Sequence, residues 1–465
     1  MEFKKKTKLA SIFALVICLS LTHCDFLGLG EDDGDDNSLG LALLLALATQ
    51  NGCTGTSPVT LSGEITSDLT VRCGILSGTV FVRSGATLTI PAGGQIFGAD
   101  GSSLFILQGA KLNAIGSAAA PVVFTSAQAA GSRKAGDWGG IVLIGNATTN
   151  RGSNTTEGTN PQNYGTGTDD ADSSGNLTYV RIEYAGDTVA PGNELNCLSM
   201  YGVGSGTTLN YVQCHKGRDD SFEWFGGSVN GKFLISTGVS DDDFDFDEGY
   251  HGKLQHLVGY KFADGSAGVS ANDGRGFEFD GSASTTGGSF GGKSIAKVAN
   301  FTLVGSLGVF TDAVGTTPNE PNQMHFREGT TGNVAHGYIT GFTGATNAIH
   351  CRDETAPRNG TNVAIDSTVF TMTGVTITLN DNGAACTGTG TQTVPNTGIA
   401  LTTAANPATG TAPNLVPTIT VTGQPNLATR TGFTGDAFFD NTTYSGAIDP
   451  SGADWTAGWT NWLTN

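Results

Sequence analysis

Three short segments of this chain alternate large apolar residues with charged ones. They are Phe222–Trp224, Phe244–Asp247 and Phe277–Asp280. Alternation with a period of two predicts β-strands that bury one face and turn the other outward. The first two segments begin 22 residues apart, and a glycine pair at 226–227 and a second strand-like run at 232–236 lie between them. A strand, a turn and a strand repeating at this period predict a parallel β-helix, a solenoid of stacked coils.

Similar phrases appear much earlier in the chain. Residues 79–93, 104–112 and 121–125 repeat the strand and glycine-turn pattern at about the same spacing. Glycine accounts for 69 of 465 residues, about twice its usual share of roughly 7%. Corners that need a positive φ explain this excess, because glycine adopts such angles without steric cost. We therefore predict an all-β fold, a right-handed parallel β-helix over residues 53–380 with short caps at both ends.

Two segments interrupt the repeat. Residues 145–176 predict a surface loop, and residues 381–430, rich in Thr, Gly and Pro, predict a long excursion with one strand at Thr418–Thr422. Residues 431–465 predict the last rung, with a strand at 437–439, and a C-terminal cap. Trp455, Trp459 and Trp462 have the spacing of one face of a short helix that would cover the last rung. A carbohydrate-stacking platform is the alternative use of these rings.

Residues 1–23 have the pattern of an export signal. Four lysines between positions 4 and 8 precede an apolar run, Leu9–Leu21, that is too short for a permanent membrane span. Leu21–Cys24 resembles a lipobox, with His23 where a small residue is usual, and predicts lipidation of Cys24. An ordinary secretory signal is the alternative.

Residues 24–52 combine an acidic run with a short apolar one. The acidic run at 31–36 predicts a tether between lipid and domain, since it cannot bury apolar surface. The apolar run at 39–48 predicts an N-terminal cap on the solenoid, with membrane contact as the alternative. The tether and cap together make up the segment before the β-helix.

The net charge and the cysteines indicate which partners and which cellular compartment fit this chain. The formal net charge of −19 disfavours nucleic acid as a partner. An even number of cysteines after position 24 in an exported chain predicts disulfides, and no pair has the CxxC spacing of a zinc or redox site. Residues one rung apart are neighbours in a solenoid, so we predict the pairs Cys53–Cys73, Cys197–Cys214 and Cys351–Cys386.

Aligning the coils on their apolar residues places the charged residues in two columns on the outer face of the strands. One column contains Ser199, Glu223, Asp245, Glu278, His325 and His350, and the next contains Asp247, Asp280, Arg327 and Arg352. Stacked strands lie about 4.8 Å apart. Neighbouring carboxylates at this distance raise one another's pKa or attract a cation.

The densest acidic segment predicts a calcium site. Its candidate ligands are Asp241, Asp242, Asp243, Asp245, Asp247 and Glu248. Ca²⁺ takes six to eight oxygen ligands, and carboxylates are common among them. The alternative is a solvated acidic turn that nearby cations balance, namely Arg218, Lys232, Lys253 and Arg275.

Three motif regions resemble one family. The segments 82–93, 219–249 and 438–459 are similar to bacterial, spirochaete-type surface lipoproteins that carry a pectin-lyase-like β-helix. The resemblance covers most of the mature chain. It implies this fold and an envelope location, periplasmic or at the outer membrane surface, but it implies no reaction.

These observations leave three functions open. The first is non-enzymatic binding of a glycan, matrix or protein ligand along the columns, with Ca²⁺ ordering the acidic corner. The second is a polysaccharide lyase or glycoside hydrolase, whose candidate catalytic residues are Glu223, Asp245, Glu278, His325, His350, Arg327 and Arg352. Two carboxylates one rung apart have the separation found in retaining glycosidases, although any outward neighbours on a solenoid share it. The third is a purely structural envelope protein.

Overall fold

The chain divides into two compact units, Met1–Leu44 and Leu45–Asn465, and the residues described below belong to the second. The computed structural model describes Cys53 and residues 57–190, 192–262, 274–281, 294–305, 323–341, 347–352, 362–366, 368–371, 376–381, 385–389, 392–394, 410, 412–415 and 424–463. The signal, Cys24, the tether and the N-terminal cap therefore lie outside the described residues. So does the strand predicted at 418–422.

All but one of the regular elements in the described part of the chain are β-strands. Its strands are β1 (Val59–Ile65), β2 (Leu69–Thr70), β3 (Cys73–Val82), β4 (Thr87–Pro91), β5 (Gln95–Gly98), β6 (Ser103–Ile106), β7 (Lys111–Ile115), β8 (Val122–Ser126), β9 (Ile141–Ile144), β10 (Asn154–Thr155), β11 (Asn163–Tyr164), β12 (Gly175–Glu183), β13 (Asp187–Ala190), β14 (Asn193–Leu195), β15 (Leu198–Tyr201), β16 (Thr208–His215), β17 (Phe222–Phe225), β18 (Asn230–Thr237), β19 (Phe244–Asp247), β20 (Lys253–Tyr260), β21 (Phe277–Asp280), β22 (Lys297–Val304), β23 (Met324–Arg327), β24 (Thr331–Thr340), β25 (Asn347–Arg352), β26 (Asn362–Asp366), β27 (Val369–Thr371), β28 (Thr376–Asp381), β29 (Ala385–Thr389) and β30 (Gln392–Val394). One 3₁₀ turn, Leu427–Thr429, is also described.

The strands stack coil on coil into three parallel sheets. Sheet A contains β6, β9, β15, β17, β19, β21, β23, β25, β28 and the ends of β1 and β3. Sheet B contains β2, β4, β7, β26, β29 and the first halves of β12, β16, β18, β20, β22 and β24. Sheet C contains β5, β8, β27, β30, the starts of β1 and β3, and the second halves of the same six strands. The prediction of an all-β, right-handed parallel β-helix is confirmed.

Stacked aromatic rings fill the inside of sheet A. Phe222 lies 5.4 Å from Phe244, and Trp224 lies 4.9 Å from Phe246, measured between ring centroids. All four side chains are fully buried. Burying such rings contributes most of the local stability and fixes which residues of each strand face inward.

The six long strands bend from sheet B to sheet C at a single residue with a left-handed backbone. These residues are Tyr179, Tyr211, Phe233, His256, Asn300 and His336, with φ between 51° and 62°. We call them the corner ladder. Its first four rings stack at centroid distances of 4.3, 4.4 and 4.8 Å. A left-handed backbone costs a residue with a side chain about 1–2 kcal/mol, so other contacts must hold these rings in place.

Residues 424–463, here called the C-terminal strap, pack against the corner ladder and sheet C. The centroid of Trp459 lies 5.6 Å from that of Tyr179, and Trp455 lies 5.1 Å from Phe233, both edge to face. Asn461 bonds Gln213 through its backbone N–H and Glu183 through its side-chain amide. We expected a strand at 437–439 and a short helix over the last rung, but the strap consists of turns along the side of the middle coils. The reason is that outward polar groups of these coils find their partners in the strap.

The coils also extend beyond the predicted boundary at residue 380. The backbone of β29 pairs with β26, and that of β30 pairs with β27, so the coil pattern continues to Val394. The predicted excursion therefore begins later in the chain than expected. The predicted loop at 145–176 contains the small hairpin β10–β11.

Two of the three predicted disulfides are confirmed. Cys53–Cys73 and Cys197–Cys214 have Cα atoms 5.9 and 6.1 Å apart. Cys351 is disulfide-bonded as well. The side chain of its predicted partner, Cys386, lies outside the described part, so that pairing stays a prediction.

Candidate functional site

The charged column on sheet A has the predicted register. Pairing of successive strands places Ser199, Glu223, Asp245, Glu278, His325 and His350 next to one another in that order. Their neighbours in each strand are the core rings, so the column faces away from the core. Accessibility varies along it, since Glu223 and Asp245 are half-buried, whereas Glu278 is only 7% exposed and His325 only 3%. The side chains of His350 and Arg352 lie outside the described residues.

Glu278 is the centre of a charge network at the basic end of the column. Its carboxylate lies 2.6 Å from Arg275 Nη1, 3.1 Å from Arg327 Nη2 and 3.3 Å from His325 Nδ1. Arg327 also binds both oxygens of Asp280, at 2.5 and 2.7 Å. Charges on adjacent coils therefore contact one another along this part of sheet A, and the two arginines hold these carboxylates in place.

The acidic end of the column contains carboxylates that crowd one another. Oxygen atoms of Asp220, Glu223 and Asp245 all lie within 4.8 Å of one another, and the same holds for Asp219, Asp220 and Asp241. We call these five residues the acidic cluster. Burial, with repulsion from neighbouring carboxylates, raises the pKa of Asp220, Glu223 and Asp245 well above the ordinary range. A cation bound here would offset both the burial of these carboxylates and their mutual repulsion.

Hydrogen bonds hold part of the acidic cluster in place. Asn196 donates its side-chain amide to Glu223, and the backbone N–H of Asp242 donates to Asp220 at 2.7 Å. Asp245 Oδ1 is buried without a hydrogen-bond partner in the described part of the chain. A buried carboxylate oxygen of this kind suits a cation ligand, because leaving it unpaired is costly.

The six ligands predicted for calcium do not form one site. Asp243 points inward, where it is fully buried and contacts Lys261 Nζ at 3.2 Å and Ser236 Oγ at 2.5 Å. Glu248 accepts from Tyr164 Oη at 2.6 Å and from Arg151 Nε at 2.7 Å. Successive residues around a corner point in different directions, so an unbroken acidic run cannot share one ion.

Two of the predicted ligands, Asp241 and Asp245, do belong to the acidic cluster. Asp219, Asp220 and Glu223 complete it. The sequence signal for Asp219 and Asp220 is the repeat of paired aspartates one coil apart, and Glu223 is already a member of the predicted column. Among the cations expected to balance this corner, Arg275 contacts Asp242, whereas Lys232 and Lys253 pair with Asp440 and Asp436 of the strap.

The buried carboxyl groups of Asp242 and Glu278 lie close enough for each to affect the protonation of the other. Burial, together with the nearby Glu278 and against the attraction of Arg275, raises the pKa of Asp242 to about 8. Burial also raises the pKa of Glu278, against the attraction of Arg275 and Arg327. One proton held between two carboxyls is the arrangement that can serve general acid catalysis near neutral pH.

The loop at 145–176 brings one more carboxylate to this region, which the sequence did not reveal. Burial and the charges of Glu194 and Glu248 raise the pKa of Glu157 to about 8. The backbone N–H of Glu157 donates to Tyr201 Oη at 3.2 Å, and the Tyr201 ring stacks on Phe225 at 4.1 Å. No periodic pattern marks Glu157, because it reaches the site from a loop.

The chain was compared with known proteins. The family model of the pectate-lyase-like beta helix domain matches residues 63–460. No curated protein matches this chain. Among solved structures, the Dettilon tailspike protein is similar at 10% identity and a TM-score of 0.28, over 78% of this chain and 64% of that one. This chain thus spans less than two thirds of the length of that tailspike. Since the family match covers most of its residues, the chain belongs to the pectate-lyase-like beta-helix domain family.

Proposed function

We propose that this chain is an exported, lipid-anchored envelope protein that binds an acidic glycan along the charged column, with Ca²⁺ in the acidic cluster. The observation that carries the proposal is the close approach of the Asp220, Glu223 and Asp245 carboxylates, within 4.8 Å of one another. Two like charges at this distance repel by roughly 3–4 kcal/mol at an effective dielectric constant of 20. A bound cation would remove this repulsion.

The neighbouring groups support a glycan as the ligand. A cation in the acidic cluster would attract carboxylate groups of a polyanion. Arg327, in the neighbouring column, already binds Asp280 and Glu278, so the bound cation would supply this attraction. The column crosses successive coils, so it fits an extended ligand better than a compact one. The family is named after pectate lyase, and pectate is itself an acidic polysaccharide.

Glycan binding should require both calcium and the cluster. In a retention assay on immobilised polygalacturonate, we expect the wild-type protein to bind in Ca²⁺ and to elute in EDTA. The double variant Glu223→Gln/Asp245→Asn should bind at least about tenfold more weakly, a loss near 1.4 kcal/mol. Asp100→Asn, a substitution at an exposed carboxylate outside the column, is the control and should bind normally. Retention that survives EDTA or the double variant would contradict the proposal.

A carbohydrate-active enzyme is the second candidate, and the neighbouring buried carboxyls of Asp242 and Glu278, with their raised pKa values, favour it. The same assay separates the two functions when the polysaccharide is analysed afterwards. Shorter products that appear with the wild-type protein and not with Glu278→Gln would assign catalysis to this pair. Intact polysaccharide with both proteins would leave binding as the function.

Anchoring rests on the lipobox-like segment Leu21–Cys24. Among the residues that the structure describes, no helix is both long and apolar enough to cross a membrane. We expect Cys24→Ser to move the protein from the membrane fraction to the soluble fraction, since it removes the acylated thiol. Cys18→Ser should leave the distribution unchanged. Continued membrane retention of Cys24→Ser would point to another anchor.

A further inference from the structure

A cleft of about 550 Å³ lies between the corner ladder and the C-terminal strap. The ladder contributes Tyr211, Phe233 and His256, and the strap contributes residues 440–444, 449–453 and Trp455. The cleft is therefore built at the corner between sheets B and C, whereas the charged column lies on sheet A. Its volume is within the range of roughly 300–1,000 Å³ that small-molecule sites occupy.

The cleft has an aromatic wall that is held at an energetic cost. Tyr211, Phe233 and His256 each have a left-handed backbone, with φ of 56°, 59° and 62°. One coil farther on, the same corner is occupied by Asn300, a residue type that adopts this conformation more readily. Tyr211, Phe233 and Trp455 are only partly buried. Bulky rings in strained, accessible positions are typical of functional surfaces.

The polar groups of the cleft include donors and acceptors. Asp440 accepts from Lys232 Nζ at 2.9 Å and lies 3.3 Å from His256 Nε2. Burial raises the pKa of Tyr211 to about 12, with smaller contributions from Tyr179 and Asp440. Burial, with the charges of Asp449 and Asp440, also raises the pKa of Tyr444. Both phenols therefore stay protonated at neutral pH and can donate hydrogen bonds.

The charges of the cleft disfavour an anionic ligand. The hydrogen bond with His256 and the ion pair with Lys232 hold the pKa of Asp440 below its ordinary range. Its negative charge is thus matched by a cation. Asp449 Oδ1 accepts from the backbone N–H and the hydroxyl of Ser451, both at 2.8 Å. These two carboxylates disfavour an anionic ligand, and both can accept hydrogen bonds from the hydroxyls of a polyol.

We propose that the cleft binds a neutral saccharide unit, as a second glycan site separate from the charged column. The faces of these rings stack on one another, so their edges would pack against the apolar C–H groups of a sugar ring. The phenols, carboxylates and backbone groups would bond its hydroxyls. This proposal does not depend on the function assigned to sheet A. It gives the corner ladder a role beyond docking the strap.

The test uses a substitution that narrows the cleft without changing any residue of the corner ladder. Ala453 is exposed and lines the cleft, so Ala453→Trp would fill part of it. Ala457, also exposed and outside the lining, provides the matched control Ala457→Trp. Equal thermal midpoints of the two variants would establish that both fold. Binding of neutral gluco-, manno-, xylo- and N-acetylglucosamine trisaccharides, at millimolar concentration, is measured by tryptophan fluorescence and calorimetry.

We expect at least one trisaccharide to bind the wild-type protein and Ala457→Trp equally, and Ala453→Trp at least about tenfold more weakly. Tyr444→Phe, which removes one hydroxyl, should weaken binding about 2- to 10-fold. Glu223→Gln/Asp245→Asn should bind the trisaccharide normally, which separates this site from the charged column. The proposal is overturned if no trisaccharide of the panel binds, or if Ala453→Trp binds as well as its control.

Discussion

Replacing Lys261 with methionine should lower the free energy of unfolding by about 3–5 kcal/mol at pH 8. Lys261 and Asp243 are 2% and 0% exposed, and Lys261 Nζ lies 3.2 Å from Asp243 Oδ1. Lys261 also donates to the backbone carbonyl of Asp241. Removing the ammonium would leave the buried Asp243 carboxylate with Ser236 as its one hydrogen-bond partner among the described residues. Chemical denaturation measures the loss.

Two further variants test whether this loss of stability is specific to the buried pair. Lys253→Met breaks a partly exposed pair with Asp436, and it should cost no more than about 1 kcal/mol. The double variant Asp243→Asn/Lys261→Met removes both charges and should recover more than half of the loss. Burial raises the pKa of Asp243 to about 6, so the effect of Lys261→Met should shrink at about pH 5, where the carboxyl takes up a proton. A loss below about 1 kcal/mol at pH 8 would show that the pair contributes little.

Without metal, the stability of this protein should fall as the pH rises from about 5 to about 8. Burial raises the pKa of Asp243 to about 6, and that of Asp242 and Glu157 to about 8. Burial also raises the pKa of Asp219, Asp220, Glu223, Asp245 and Asp247 well above the ordinary range. A carboxyl with a raised pKa holds its proton more tightly when folded. Its stabilisation is therefore present at low pH and is lost as the pH rises through the folded value.

One histidine acts in the opposite direction. Burial lowers the pKa of His215 from 6.5 to about 4, so this residue favours the folded state as the pH rises from about 4 to 6.5. The carboxyls with raised pKa values outnumber this histidine, so the net stability should still fall as the pH rises. The measurement is the thermal midpoint from about pH 5 to about pH 8, first in EDTA and then in Ca²⁺, which should restore stability at the upper end. Asp245→Asn should flatten the dependence. A midpoint that rises with pH in EDTA would contradict the expectation.

The register of the column could be predicted because two signals agree. The period of two separates core from column within each strand, and the spacing of 22 residues between Phe222 and Phe244 aligns one strand with the next. Large rings at fixed positions fix the strand register, since a shift of one residue would bury Glu223 and expose Trp224. Inside the strands of sheet A, the sequence is therefore a reliable guide.

The same reasoning failed where the chain leaves a strand. Strand β19 begins at Phe244, so Asp242 and Asp243 lie in the corner before it, and the alternation does not apply to them. The spacing of Trp455, Trp459 and Trp462 suggested a helix, but Trp455 and Trp459 contact the ladder rings from turns. Those rings lie more than 200 residues away in the chain. No local pattern encodes such a contact.

The C-terminal strap affects how the solenoid unfolds. In a solenoid each coil touches only its neighbours, so the ends can fray while the middle stays folded. Here one segment reaches back across consecutive coils, with contacts at Glu183, Gln213, Lys232, Gln255, Asn300 and His336. Unfolding any one of these coils would therefore break contacts with the strap, which also packs against the other coils. The strap thereby joins a stack of separable units into a single cooperative block.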